Sequence, residues 1–282
     1  MADFSFIQLA DPQFGMFASV SKKTDAEIAD FAKRGLMIRK TRPIEGFAPE
    51  TGLFTRAIEH ANSLKPTFVV VCGDITNEAG DKEQITEAKR IAALLDESIA
   101  LYWVPGNHDV AFDHNNPSQE CVELYRENFG PDYYSFSCGT VKFIVINSTV
   151  LTTPETMEQE AKAQIAFVET EADNAVNQNS SRIILFSHHP LFVESPDESN
   201  NPWSIEKKYR MPLLRIAEKH GIEANFAGHW HHNNIASANG IETVASGPVG
   251  YPLGDDPSGY RVVNVTSDGI THTYHCLLYT SP

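Results

Sequence analysis

The chain is built from short, nearly unbroken apolar runs separated by longer stretches with apolar residues at helical spacing. Five of the runs end alike. Phe4–Leu9 leads into Asp11, Phe68–Cys72 into Gly73-Asp74, and Leu101–Val104 into Gly106-Asn107-His108-Asp109. Ile183–Phe186 leads into His188, and Ala224–Ala227 into Gly228-His229-Trp230-His231. Continuous apolar runs mark strands buried on both faces, and open α/β sheets place ligands beyond the carboxyl ends of such strands. Five strand ends delivering Asp, Asp, Asn, His and His to one edge predict a metal site.

The pattern predicts strands at 4–10, 67–72, 99–104, 182–187 and 222–227. Between them, helices are expected at 50–64, 82–96, near 118–128 and at 204–219. Thr153 at the N-cap and Pro154 at the first helical position predict a helix running to about 177. Thr24 is expected to cap a helix carrying Ile28, Phe31, Ala32, Leu36 and Met37. Runs 133–138 and 141–147, joined by Gly139-Thr140, read as a hairpin, and the tail adds strands at 241–246, 259–265 and 270–276. Both halves of the chain supply ligand-type residues, so both must face one site. Two facing mixed β-sheets flanked by helices, a four-layer αββα sandwich of the α/β class, satisfy this. A single domain over 1–282 is the simplest organisation, with a flap-like insertion at about 15–49.

The composition, 41% hydrophobic and 21% charged, allows a sizeable core. A net charge of −15 disfavours nucleic acid as a partner. No apolar stretch is long enough to span a bilayer, and no secretory signal is expected at the start. Cys72, Cys121, Cys138 and Cys276 show no paired spacing, which favours reduced thiols and a cytoplasmic setting. The two glycosylation-type triplets, at Asn147 and Asn264, sit in or beside strands and read as chance matches. The basic stretch Lys33 to Arg42 reads as a solvated helix end, with a flap that holds an anionic substrate as the sharper alternative. Arg34, Arg39, Arg42 and Arg210 are possible substrate clamps, better explained as surface ion pairs.

Asp74 is the natural bridging ligand, since one carboxylate can hold two cations. Asn107 offers a neutral amide oxygen. His108 points elsewhere and can act as general acid, while Asp109 can orient an imidazole. His229 and His231, two residues apart, can face two neighbouring metals. Of the pair His188-His189, the first lies nearer the strand end and is the candidate ligand. His189 is then left to face the substrate, or to serve structure.

These blocks, in this order, resemble the five-block pattern of the calcineurin-like metallophosphoesterases. Within that family the chain is most similar to the calcineurin-like phosphoesterase domain-containing protein group, reported as serine/threonine phosphatases. Asp11-Pro12-Gln13-Phe14-Gly15, residues 188–195 and residues 253–259 carry that similarity. The resemblance implies two divalent metal ions, drawn from Mn, Mg, Fe, Zn or Ca. Asp11, Gln13, Asp74 and His231 would hold the first, and Asp74, Asn107, His188 and His229 the second. It further implies in-line attack of a metal-activated hydroxide on a phosphorylated substrate, with His108 protonating the leaving oxygen and Asn107 and His189 contacting the phosphate. The family usually has Asp-x-His in its first block; Gln13 replaces the imidazole with a harder amide oxygen, which predicts a first site that is weaker or prefers Mg²⁺, Mn²⁺ or Ca²⁺ to Zn²⁺. Phosphomonoester hydrolysis is the leading expectation, with a phosphodiesterase acting on a small nucleotide or lipid headgroup and a non-catalytic metal-binding scaffold as competing readings.

Overall fold

The structure is a computed structural model and describes residues 3–277. In chain order its elements are β1 (Phe4–Leu9), α1 (Met16–Ser21), α2 (Asp25–Lys33), α3 (Ala48–Leu64), β2 (Phe68–Cys72), α4 (Lys82–Ala92), β3 (Ala100–Val104) and α5 (Asn107–Val110). There follow α6 (Gln119–Phe129), β4 (Tyr134–Cys138), β5 (Val141–Val145), α7 (Glu158–Asn177), β6 (Arg182–Phe186), α8 (Lys207–His220) and β7 (Ile222–Ala227). The tail forms β8 (Asn234–Ala238), β9 (Ile241–Ala245), β10 (Gly259–Val265) and β11 (Ile270–Cys276).

The strands form two mixed sheets, ordered β11-β10-β1-β2-β3 and β4-β5-β6-β7-β9-β8. The carboxyl-terminal pair β10–β11 joins the amino-terminal sheet, with β10 antiparallel to β1. Four layers result. Phe6, Phe68, Phe143, Phe186 and Phe226 fill the space between the sheets. Phe6 stacks on Phe68 at 4.8 Å and meets the other three edge-on at 5.5–5.8 Å, the offset and T-shaped geometries that aromatic quadrupoles favour. One outer face of the sandwich is covered by α3, α4 and α6 through residues such as Phe54, Ile58, Ile91 and Val122. The other is covered by α7 and α8 through Val168, Leu213 and Leu214.

Several expectations need correction. The helix expected from Thr153-Pro154 begins at Glu158, after a 3₁₀ turn at Pro154–Thr156. The helix expected over 82–96 stops at Ala92. Strand β8 was not anticipated; it sits at a sheet edge, half exposed, and turns into β9 through Asn239-Gly240, both at positive φ. That Asn-Gly pair is the sequence signal for a type I′ hairpin. Thr24 does cap α2, in a full capping box with Glu27, but the helix ends at Lys33, so Leu36 lies beyond it. Asn147 is fully buried and donates to Asp132, so its triplet is no glycosylation site. Among the described residues no helix is long and apolar enough to cross a membrane.

Candidate metal centre

The carboxyl ends of β1, β2 and β3 in one sheet and of β6 and β7 in the other open toward a common cleft of about 540 Å³. The loops after β1 and β2 are laced together: Asp11 N–H donates to the Gly73 carbonyl and Gln13 N–H to the Asp74 carbonyl. Asp11, Gln13, Asp74, His229 and His231 all adopt positive φ, between 41° and 67°. For residues with a Cβ this left-handed conformation costs on the order of 1–2 kcal/mol each, and such strain gathers at functional sites. The glycines of the motifs answer to close approach. A Cβ on Gly106 would meet the Asp74 backbone and carboxylate, and one on Gly73, itself at φ +83°, would meet the His188 ring.

Four imidazoles are held by one device. His188 Nδ1–H donates to the Cys72 carbonyl (2.8 Å), His229 Nε2–H to Pro202 (2.9 Å), His231 Nδ1–H to Tyr251 (2.6 Å) and His108 Nδ1–H to Asn77 (2.8 Å). A carbonyl only accepts, so in the neutral ring each bond fixes the tautomer and leaves the other ring nitrogen with its lone pair. Those of His188, His229 and His231 converge on the Asp11 and Asp74 carboxylates. His188 Nε2 lies 3.3 Å from Asp74 Oδ2, 3.0 Å from Asn107 Oδ1 and 3.2 Å from His229 Nδ1. His231 Nε2 lies 3.4 Å from Asp11 Oδ1. Asn107 turns its oxygen inward because its amide donates to the His114 carbonyl.

Two groups of ligand atoms result, Asp74 with His188 and His229, and Asp11 with Asp74 and His231, each within 4.8 Å of one another. Asp74 belongs to both. Buried acceptors facing each other repel unless protons or cations lie between them, so the donor set fits two metal ions. Gln13 fits the same reading: among the described residues its Oε1 is buried with no partner, while its Nε2 lies 3.4 Å from Asn77 Oδ1.

The electrostatics show the same tension. Burial opposes the Asp74 charge, but His188 and His108 outweigh it and hold the carboxyl below the usual range. Burial also opposes protonation of His188, yet the Asp74 carboxylate pushes it up to about 9. His229, buried and repelled by His188, is pushed down to about 3.

The cleft is also lined by His108 and His189. Ser148 Oγ accepts from the N–H groups of His188 (3.2 Å) and His189 (2.8 Å) and lies 3.0 Å from His189 Nδ1. With both lone pairs engaged, the hydroxyl donates to Nδ1, so His189 carries its proton on Nε2. Burial, then His229 and His188, keep His189 neutral, its pKa well below the usual value.

One expected role fails. Asp109 orients no imidazole. Its carboxylate accepts from Ile75 N, Thr76 N, Thr76 Oγ1 and Gly106 N at 2.8–3.2 Å, tying the Asp74 loop to the Asn107 loop. Arg210 also departs from the expected surface ion pair, being fully buried.

Sequence reading missed Ser148, Asn77 and His114, the last stacked on His108 at 4.0 Å. These act through a hydroxyl or a carbonyl, or sit in a loop without periodicity, and carry no motif. The segment 15–49 forms one cleft wall, with Met16, Val20, Leu36 and Ile38 packed on Tyr251 and Leu253. Lys23 and Arg34 line the cleft beside them, and Trp203 does so from the 193–206 loop.

The family described as calcineurin-like phosphoesterase matches over residues 27–233. The serine/threonine-protein phosphatase CPPED1 of Rattus norvegicus is 34% identical over 280 residues, which cover 97% of this chain and 84% of that protein. The Homo sapiens protein of the same name is 33% identical over 281 residues, with 97% and 84% covered. A solved dimetal phosphatase from Danio rerio superposes with a TM-score of 0.61 at 15% identity, covering 95% of this chain and 98% of that one, a likeness of fold.

Proposed function

Because the chain belongs to the calcineurin-like phosphoesterase family and is a metal-dependent phosphoesterase, we propose that it hydrolyses phosphate monoesters, and phosphoserine or phosphothreonine in proteins among them. The observation that carries this reading is the convergence of three imidazole lone pairs on the Asp11 and Asp74 carboxylates, with every opposite ring N–H donated to a backbone carbonyl. The protein-phosphatase element comes from the relatives named for that activity.

In this proposal Asp11, Gln13, Asp74 and His231 hold one divalent ion, and Asp74, Asn107, His188 and His229 the other. The ions would supply Lewis acidity, neutralising phosphoryl charge and activating water. The amide oxygen of Gln13 makes the first site weaker and favours Mg²⁺, Mn²⁺ or Ca²⁺ over Zn²⁺; two tightly held zinc ions per chain on elemental analysis would oppose it. His189 offers its Nε2–H to a phosphoryl oxygen. His108 presents Nε2 to the cleft. Burial first, with His114, lowers its pKa, and the arriving phosphate charge would raise it so that Nε2–H protonates the leaving oxygen. Lys23 and Arg34 line the approach with positive charge in an otherwise acidic protein. All four cysteines are free, and a cytoplasmic setting belongs to the same proposal.

The test is turnover of an aryl phosphate monoester and the matching diester with Mn²⁺, followed by phosphate release from a phosphoserine peptide. The monoester is expected to be preferred, and His108→Ala to lower its rate by about 10²–10⁴-fold. Unchanged rates in His108→Ala and Asp74→Ala would overturn the assignment, and a faster diester would replace it with a phosphodiesterase.

A further inference from the structure

Arg210 has the bulkiest fully buried side chain among the described residues. It sits in the first turn of α8, beneath the 193–206 loop. Its Nε donates to the Pro196 carbonyl (3.0 Å), its Nη1 to the Ile205 carbonyl and to Ser204 Oγ (both 3.2 Å), and its Nη2 to the Glu198 carbonyl. The Glu198 carboxylate completes the clamp. It lies 3.4 Å from Arg210 Nη1 and accepts from Glu194 N (2.8 Å), Ser195 N (3.1 Å), Val193 N (3.2 Å) and Ser204 Oγ (2.7 Å). A buried guanidinium is tolerated only when its fork is fully engaged. Here the fork is spent on one irregular loop that has no ladder of its own.

That loop carries Pro202, whose carbonyl takes the Nε2 proton of His229, and Trp203, whose ring lies 5.8 Å from the His229 ring. A neutral imidazole has one N–H. Where the Pro202 carbonyl stands therefore decides that His229 turns the Nδ1 lone pair toward Asp74 and His188. We propose that Arg210, together with Glu198, is a positioning residue for the metal centre, holding the Pro202 carbonyl where it sets the tautomer and orientation of His229. The proposal rests on the assignment of His229 as a metal ligand.

Mn²⁺ binding to the full chain, followed by calorimetry and by metal content per chain, tests it in the parent, Arg210→Lys, His229→Ala and the double variant. Lysine keeps the charge but cannot reach three carbonyls. The parent is expected to bind two ions. In Arg210→Lys one ion should bind with parental affinity and the other about 10–100-fold more weakly. The double variant should bind no more weakly than His229→Ala alone, since both act on one ligand. Parental affinity for both ions in Arg210→Lys, equal weakening of both, or full additivity in the double variant would overturn the proposal. If His229→Ala itself leaves both ions bound, the ligand assignment fails first and takes the proposal with it. Should Arg210→Lys not fold, Ser204→Ala, which removes the hydroxyl shared by guanidinium and carboxylate, is measured the same way. A several-fold selective loss is expected there, and none overturns the idea.

Discussion

The role found for Asp109 makes a quantitative prediction. Its carboxylate is 3% exposed and accepts from four donors, three of them backbone N–H groups on two separate loops. Asp109→Asn keeps the shape but replaces one oxygen with an amide donor. In its cheaper orientation the Asn amide faces Gly106 N–H, donor against donor, and leaves that N–H unpaired. An unsatisfied buried donor costs about 1–3 kcal/mol, and each remaining bond weakens as its acceptor loses charge, giving a gross loss of about 3–5 kcal/mol. Some of this returns. Burial and repulsion from Asp74 hold the Asp109 carboxyl above the usual range, and neutralising it relieves both, so the net loss is about 2–4 kcal/mol. At about 2–4 °C per kcal/mol for a protein of this size, the midpoint should fall by about 4–16 °C. Thermal and urea unfolding of chelator-treated protein is the assay, so that metal binding does not enter. A midpoint within about 1 °C of the parent, with activity lost, would refute the loop-tying role and restore the imidazole-orienting one expected from sequence.

Two further changes act away from the ligands. Glu50 accepts from Gly15 N and Phe17 N through Oε1, while among the described residues Oε2 is buried without a partner, and burial raises its pKa against those bonds. Its folded pKa lies above the unfolded one, so its protonated form favours the fold, and stability falls as pH rises from the unfolded value through the folded one. Glu50→Gln should therefore gain stability relative to the parent as pH rises above about 4.3; a pH-independent difference in urea midpoints would contradict this. Phe6→Ala removes the ring at the centre of the inter-sheet cluster. It should cost about 3–5 kcal/mol in urea unfolding, and a loss under about 1 kcal/mol would mean the sheets close over the gap.

Much of the site was legible because its chemistry is local. Asp11, Asp74, Asn107, His188, His229 and His231 each follow a strand, and a strand end is visible in a one-dimensional pattern of apolar residues. Gly106-Asn107-His108-Asp109 and Gly228-His229-Trp230-His231 name their chemistry by type and spacing. What misled was reading Asp109 as a group that orients an imidazole. Asp109 lies next to His108, yet it bonds to Ile75 and Thr76, over thirty residues away. Arg210 read as surface because arginine usually is; its burial depends on Glu198 and a loop whose path no periodicity encodes. Ser148 sits in a triplet that looked like noise, and its importance appears only when β5 and β6 lie side by side.

By itself the sequence determined the sandwich class, most strand positions, the ligand types and the order in which they arrive. It could do so because burial imposes period and length on each element separately. Only the tertiary structure decided that Asp109 ties two loops together, that the imidazoles are locked by backbone carbonyls, and that a buried guanidinium reaches the site through a loop. Those facts depend on angles and distances between segments far apart in the chain, and nothing in the spacing along it records where two loops meet.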